Sequence, residues 1–238
     1  MILKSNKIIC ALDFNDLFKA VKFVSKINYD IVFKVGMEFF YHFGLDGVNQ
    51  LRKVKSDIKI FLDLKLHDIP NTVSSSLFPL MDKVRPYMIT LHVSGGSAML
   101  KGAVEAVDII CKKRDFKKPI MLGVTILTSL SQKDLMLLGL TSSVQDYVVK
   151  YAKLAKYSGL DGIVCSALET QLVKNLYKDL IIVTPGIRIN KNTQDDQSRV
   201  VTPKEAFLIG SDFIVMGRPL INSKDPNKVI SDVINNNE

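Results

Sequence analysis

Cysteine and histidine are scarce in this chain of 238 residues, with three of each. Cys10, Cys111 and Cys165 are odd in number, far apart and set among apolar residues, so they read as reduced core thiols rather than disulfide partners or ligands. His42, His67 and His92 show no ligand spacing, and no HExxH or Cys/His cluster is present, which leaves a metal site unsupported. No apolar run approaches membrane-spanning length, and the N-terminal IICAL stretch is too short for a signal-peptide core and ends at Asp13. No Gly-, Ser- or Pro-rich linker and no low-complexity tract divides the chain. Together these absences predict one domain over residues 1–238, no membrane partner and a cytoplasmic location. Lys and Arg outnumber Asp and Glu, 32 against 24, for a net charge of +8. The lysines are scattered, with no dense basic stripe interleaved with aromatics, so nucleic acid is not the expected partner. A modest positive field does favour capture of an anionic metabolite.

What is present is a repeating alternation. Short apolar runs of strand character recur eight times: IICALDF (8–14), IVFKVGM (31–37), IFLDLKL (60–66), MITLHV (88–93), IMLGVTIL (120–127), GIVCS (162–166), IIVTPGI (181–187) and FIVMGR (213–218). Between them lie stretches of helical periodicity, including 16–27, 96–114 and 143–159, the last closed by a glycine that suits a helix C-terminus. Strand alternating with helix implies parallel strands joined by right-handed crossovers. Eight such units in a chain of this length, 47% hydrophobic, predict an α/β fold, the closed (β/α)8 TIM barrel.

Residues 60–72, IFLDLKLHDIPNT, then become the most informative segment. Alternation sends Ile60, Leu62, Leu64 and Leu66 to one face and Phe61, Asp63, Lys65 and His67 to the other, with Asp63 and Lys65 roughly 7 Å apart along the strand. A half-exposed antiparallel strand would wet that polar face, but barrel strands have no solvated face. Asp63 and Lys65 are therefore expected inside the barrel near its C-terminal mouth, where such barrels hold their active sites. The same alternation groups Ile9, Ala11 and Asp13, and groups Val32, Lys34 and Gly36. Asp13 is equally readable as a helix N-cap and Lys34 as a stem packed along the barrel. The eighth run ends VMGRP, where Gly217 permits close backbone approach and Arg218 offers a planar fork of donors for an oxyanion, in the region where many barrels bind phosphate. His92 reads as a hydrogen-bonded structural histidine more readily than a catalytic one. Residues 188–201, RINKNTQDDQSRVV, are polar and too long for an ordinary connector, as lids often are.

These segments resemble one family. DLKLHDIPNTV (63–73), with its DxKxxD core, together with TPGIR (184–188), DDQSRV (195–200), TPKEA (202–206) and VMGRPL (215–220), is similar in order and separation to orotidine 5'-phosphate decarboxylase, from ALDF (11–14) almost to the C-terminus. The resemblance implies a homodimeric barrel that converts orotidine 5'-monophosphate to UMP and carbon dioxide with no metal or organic cofactor. It implies that Asp13 and Lys34 contact the ribose, and that Asp63 and Lys65 face the scissile carboxylate. Asp68 and Thr72 would reach into the partner's site, completing a Lys34, Asp63, Lys65, Asp68 array. Thr128 would address the pyrimidine edge. Arg188, Gln197, Gly217 and Arg218 would hold the phosphate, with Gln197 on the long loop. Leu66 departs from the family pattern, standing where many members have an aromatic residue.

Two other functions are open at this stage. DxKxxD is shared with metal-dependent sugar-phosphate decarboxylases and lyases, which place a glutamate near the end of the second strand to help bind magnesium; here that end offers Lys34, and a cation disfavours metal. A non-catalytic, basic RNA-binding barrel is the other, and it predicts tight, salt-sensitive RNA binding.

Overall fold

Eight parallel strands close into a barrel in chain order: β1 (Ile8–Ala11), β2 (Val32–Gly36), β3 (Lys59–Leu66), β4 (Met88–His92), β5 (Ile120–Val124), β6 (Gly162–Val164), β7 (Ile181–Thr184) and β8 (Phe213–Met216), with β8 paired back onto β1. The computed structural model describes residues 4–189 and 201–235. Helices α1 (Leu17–Lys26), α2 (Met37–Val54), α3 (Pro70–Val84) and α4 (Gly96–Arg114) follow the first four strands singly. Then α5 (Gln132–Leu137) and α6 (Val144–Tyr157) follow β5, α7 (Ala167–Leu176) follows β6 and α8 (Pro203–Leu208) follows β7. Beyond β8 come α9 (Arg218–Ile221) and α10 (Pro226–Asn235). The predicted barrel is thus the observed one, and α1, α4 and α6 occupy the three stretches of helical periodicity. Among the described residues, no helix is long and apolar enough to cross a membrane.

Strand alternation divides the core into two layers. Ile9, Val32, Phe61, Met88, Leu122, Val183 and Phe213 pack against one another, one from each of seven strands, and plug the barrel interior. The opposite faces, including Ile8, Cys10, Phe33, Val35, Ile60 and Leu62, pack under the helices in the larger cluster. Fully burying a side chain of this size contributes about 1.5–3 kcal/mol. The inner plug closes the N-terminal half of the barrel and leaves polar inward positions only above it, at the strand C-termini. All three cysteines are buried and free.

Except for β3, each observed strand stops short of the apolar run that predicted it. Leu12, Ile126 and Ile187 lie beyond β1, β5 and β7 yet are buried, at 0%, 9% and 0% exposure. Loops folding back over the mouth bury apolar residues without ladder hydrogen bonds, so burial extends past the strands.

Strand β3 departs from regular alternation in one place. It pairs with β4 at Phe61 to Met88 and Leu62 to Ile89, then resumes only at Leu66 to Leu91, and the intervening Lys65 has φ +50°. A left-handed lysine costs on the order of 1–3 kcal/mol and persists only where its surroundings hold it.

Candidate active site

The strand C-termini surround a cavity of about 270 Å³ lined by Asp13, Lys34, Asp63, Lys65, Thr128, Arg188, Gly217 and Arg218, with Phe61 and short aliphatic side chains as its apolar wall. Eight of the residues singled out from sequence therefore meet at one place. Asp13 is not a helix N-cap: Asp16 caps α1, accepting from the Lys19 N–H at 3.1 Å. Lys34 is not merely a packed stem, because its ammonium reaches two carboxylates, Asp13 Oδ1 at 3.6 Å and Asp63 Oδ2 at 3.5 Å. Asp63 is also 3.0 Å from Lys65 Nζ. Asp13, Lys34, Asp63 and Lys65 thus form an alternating chain of charges along the mouth.

The links of this chain are unequal. The Asp63 side chain is only 11% exposed, so its charge depends on its neighbours; contacts of 3.0 and 3.5 Å are worth about 5 kcal/mol each at an effective dielectric constant of about 20, before desolvation. The Asp13 side chain is half exposed, and an ion pair screened by water to that extent contributes about 1 kcal/mol or less. Lys34 and Lys65 are consequently anchored through Asp63, and Asp13 adds a weaker contact to the Lys34 ammonium. Gly36, next on the inward face of β2, leaves room for this: a Cβ there would stand 3.0 Å from Lys34 Nζ.

Round the mouth from β1, Arg188 and Arg218 supply cations beyond the ends of β7 and β8. Arg188 is 7% exposed, its backbone N–H donating to the Val201 carbonyl at 3.0 Å across the bridge between Ile187 and Val201. Gly217 lies beside Asp13, since a Cβ on it would be 3.4 Å from Asp13 Oδ2. The cavity is therefore lined by the two arginines, by the half-exposed Asp13 carboxylate, and by Asp63 and Lys65 beside Phe61. Its size and charged lining suit a small anionic molecule.

Asp68 and Thr72 do not line this cavity; both are exposed, and Asp68 Oδ1 accepts from the Ile69 N–H at 2.6 Å. Gln197 lies outside the described residues, as does most of the 188–201 segment. His92 is half-buried, stacked on His67 with ring centroids 5.2 Å apart, and its Nδ1 pairs with Ser94 Oγ at 2.7 Å. Burial first, then the neighbouring His67 and the Lys65 ammonium, hold the His92 imidazole below its ordinary value. His92 lies outside the cavity lining. Burial pushes the Cys165 thiol up to about 12, so this residue of the cavity wall is no nucleophile. Thr90 is the site residue that sequence reasoning missed: fully buried on β4, it donates from Oγ1 to Asp63 Oδ1 at 3.0 Å and accepts from the Lys65 N–H at 2.9 Å. Alternation on MITLHV places Thr90 on the inward face with His92, which was the available signal.

A closed (β/α)8 barrel with paired acids and lysines on its inward strand ends and arginines at β7 and β8 defines a barrel enzyme acting on an anionic small molecule. Comparison with known proteins narrows this. A model of the orotidine 5'-phosphate decarboxylase / HUMPS family matches residues 6–233. The orotidine 5'-phosphate decarboxylase of Wolbachia pipientis subsp. Culex pipiens is 45% identical over 223 residues, 93% of this chain and 94% of the relative. That of Vibrio vulnificus strain YJ016 is 43% identical over 226 residues, 94% of each. The crystal structure of orotidine 5'-phosphate decarboxylase from Lactobacillus acidophilus superposes with a TM-score of 0.83 at 35% identity, covering 98% of this chain and 99% of that one. The chain belongs to the orotidine 5'-phosphate decarboxylase / HUMPS family.

Proposed function

We propose that this carboxy-lyase converts orotidine 5'-monophosphate to UMP and carbon dioxide in pyrimidine biosynthesis, without a metal, with Lys65 as proton donor. The observation that carries this reading is the Asp63 carboxylate held between Lys34 and Lys65 in a cavity also lined by Arg188 and Arg218. The phosphate goes to Arg188, Gly217 and Arg218, the ribose hydroxyls to Asp13 and Lys34, and the pyrimidine edge to Thr128. Gln197, by family resemblance, adds to the phosphate grip. The substrate carboxylate then faces Asp63. Unit negative charges about 4 Å apart repel by about 4 kcal/mol at an effective dielectric constant of about 20. As the carbon–carbon bond breaks, its electron pair stays on ring carbon C6 and neutral carbon dioxide leaves, so this repulsion fades while attraction to the Lys65 ammonium grows. Only such differences between ground and transition state accelerate a reaction. Lys65 then gives one proton to C6, forming UMP, and solvent restores it.

The whole chain, residues 1–238, acts as one domain, and two copies form the working unit. Asp68 and Thr72, exposed and away from their own cavity, serve the partner's site in this arrangement, and Asp68 supplies the second carboxylate beside Lys65. Reduced buried thiols fit a cytoplasmic setting.

Purified protein is expected to form UMP from orotidine 5'-monophosphate in the presence of EDTA, and Lys65→Ala to abolish this while leaving circular dichroism unchanged. Full activity in Lys65→Ala would remove the proton donor. Loss of wild-type activity in EDTA would favour the metal-dependent sugar-phosphate decarboxylases and lyases that share DxKxxD.

A further inference from the structure

We infer that Thr90 is a positioning residue for decarboxylation, orienting both members of the Asp63–Lys65 pair through one hydroxyl; this rests on the function proposed above. Thr90 sits in the middle of β4 with no exposed surface, and its side chain is not part of the cavity lining. Its Oγ1 has one proton to donate, and that proton goes to Asp63 Oδ1 at 3.0 Å. The same oxygen accepts from the Lys65 backbone N–H at 2.9 Å.

Each bond repairs a specific weakness of the site. The register of β3 against β4 slips between Leu62 and Leu66, which takes the Lys65 N–H out of the regular ladder, and the positive φ of Lys65 has to be held by something. Thr90 gives that N–H its acceptor. Asp63, for its part, faces two ammonium groups: its Oδ2 is 3.5 Å from Lys34 Nζ, and both of its oxygens are 3.0 Å from Lys65 Nζ. With cations alone around it the carboxylate plane is free to swing between them, because an ammonium is a point charge with little directional demand. The Thr90 hydroxyl pins Oδ1 and so fixes the carboxylate plane in which both oxygens meet Lys65 and Oδ2 meets Lys34. One oxygen thereby sets the backbone of the proton donor and the plane of the carboxylate beside it. Thr90 is fully buried and outside the cavity lining, so its effect is expected on the reacting groups rather than on binding.

Thr90→Val keeps the volume and removes both bonds; Thr90→Ser keeps the hydroxyl. In Thr90→Val, kcat is expected to fall at least about tenfold with KM within about twofold of wild type, since the lost interaction bears on geometry of the reacting groups. Thr90→Ser is expected to retain at least about half the wild-type kcat. A Thr90→Val enzyme with wild-type kcat, a rise in KM at constant kcat, or equal damage from Val and Ser would overturn the role. If Thr90→Val does not fold, Thr90→Ser decides alone: a folded Ser enzyme that has lost about tenfold or more in kcat overturns it, and near-wild-type kcat upholds it. An inactive wild-type enzyme removes the reaction itself and this role with it, an outcome distinct from active wild type beside an undamaged valine variant.

Discussion

Asp63 stabilises two lysines with one carboxylate, and the space around those lysines is as specific as the charges. Gly36 has φ −90°, a backbone any residue adopts, so its small size is what the position needs. Gly36→Ala is expected to displace the Lys34 ammonium and lower kcat/KM about 10–100-fold, while changing unfolding free energy by less than about 1 kcal/mol. Steady-state kinetics beside a urea titration separate the two, and unchanged kinetics would show that Lys34 accommodates the added methyl group. The positions of Asp13, Lys34 and Asp63 were legible because a charge at an inward strand position is costly to bury unless a partner or a ligand meets it. Thr90 was not, since threonine suits any strand and its hydroxyl sends no distinguishing signal among β-branched neighbours. Lys65 reached its predicted place by a route that parity does not describe, through a left-handed backbone rather than continued pleating. Asp68 and Thr72 lie past the strand, where alternation says nothing, and only resemblance assigns them a role.

At the scale of elements, the eight strands were legible from their short apolar runs, and their ends were not, because mouth loops such as those holding Leu12 and Ile126 are buried as deeply as strands. The shortest strand, β6, depends on a close approach to β7: a Cβ on Gly162 would stand 2.2 Å from the Ile181 carbonyl oxygen. Backbone cannot move aside as a side chain does. Gly162→Ala is therefore expected to force β6 and β7 apart and to destabilise the fold by about 1–3 kcal/mol or more, seen as a lower urea midpoint. Because β7 leads into Pro185, Gly186 and Arg188 of the cavity lining, KM should rise as well. An unchanged midpoint would mean that the β6–β7 ladder tolerates a wider spacing than its register indicates.

At the scale of the whole molecule, the proposed dimer makes a prediction that no single chain can meet. Lys65→Ala and Asp68→Ala subunits, each inactive alone, should regain activity when mixed and allowed to exchange, since half of the sites in a heterodimer carry both native residues. Exchange without recovery would place Asp68 outside the partner's site. Within one chain, the barrel is sealed by the pairing of β1 with β8, Ile8 to Ile214 through Cys10 to Met216. A ribosome adding about 5–20 residues per second takes about 10–40 s to travel from the first strand to the last. For much of that interval Asp13, Lys34, Asp63 and Lys65 have been made, but Arg188 and Arg218 have not. The arginines are thus the last part of the site to be synthesised, and a nascent chain holds its reactive charges for many seconds before it has a grip on any substrate.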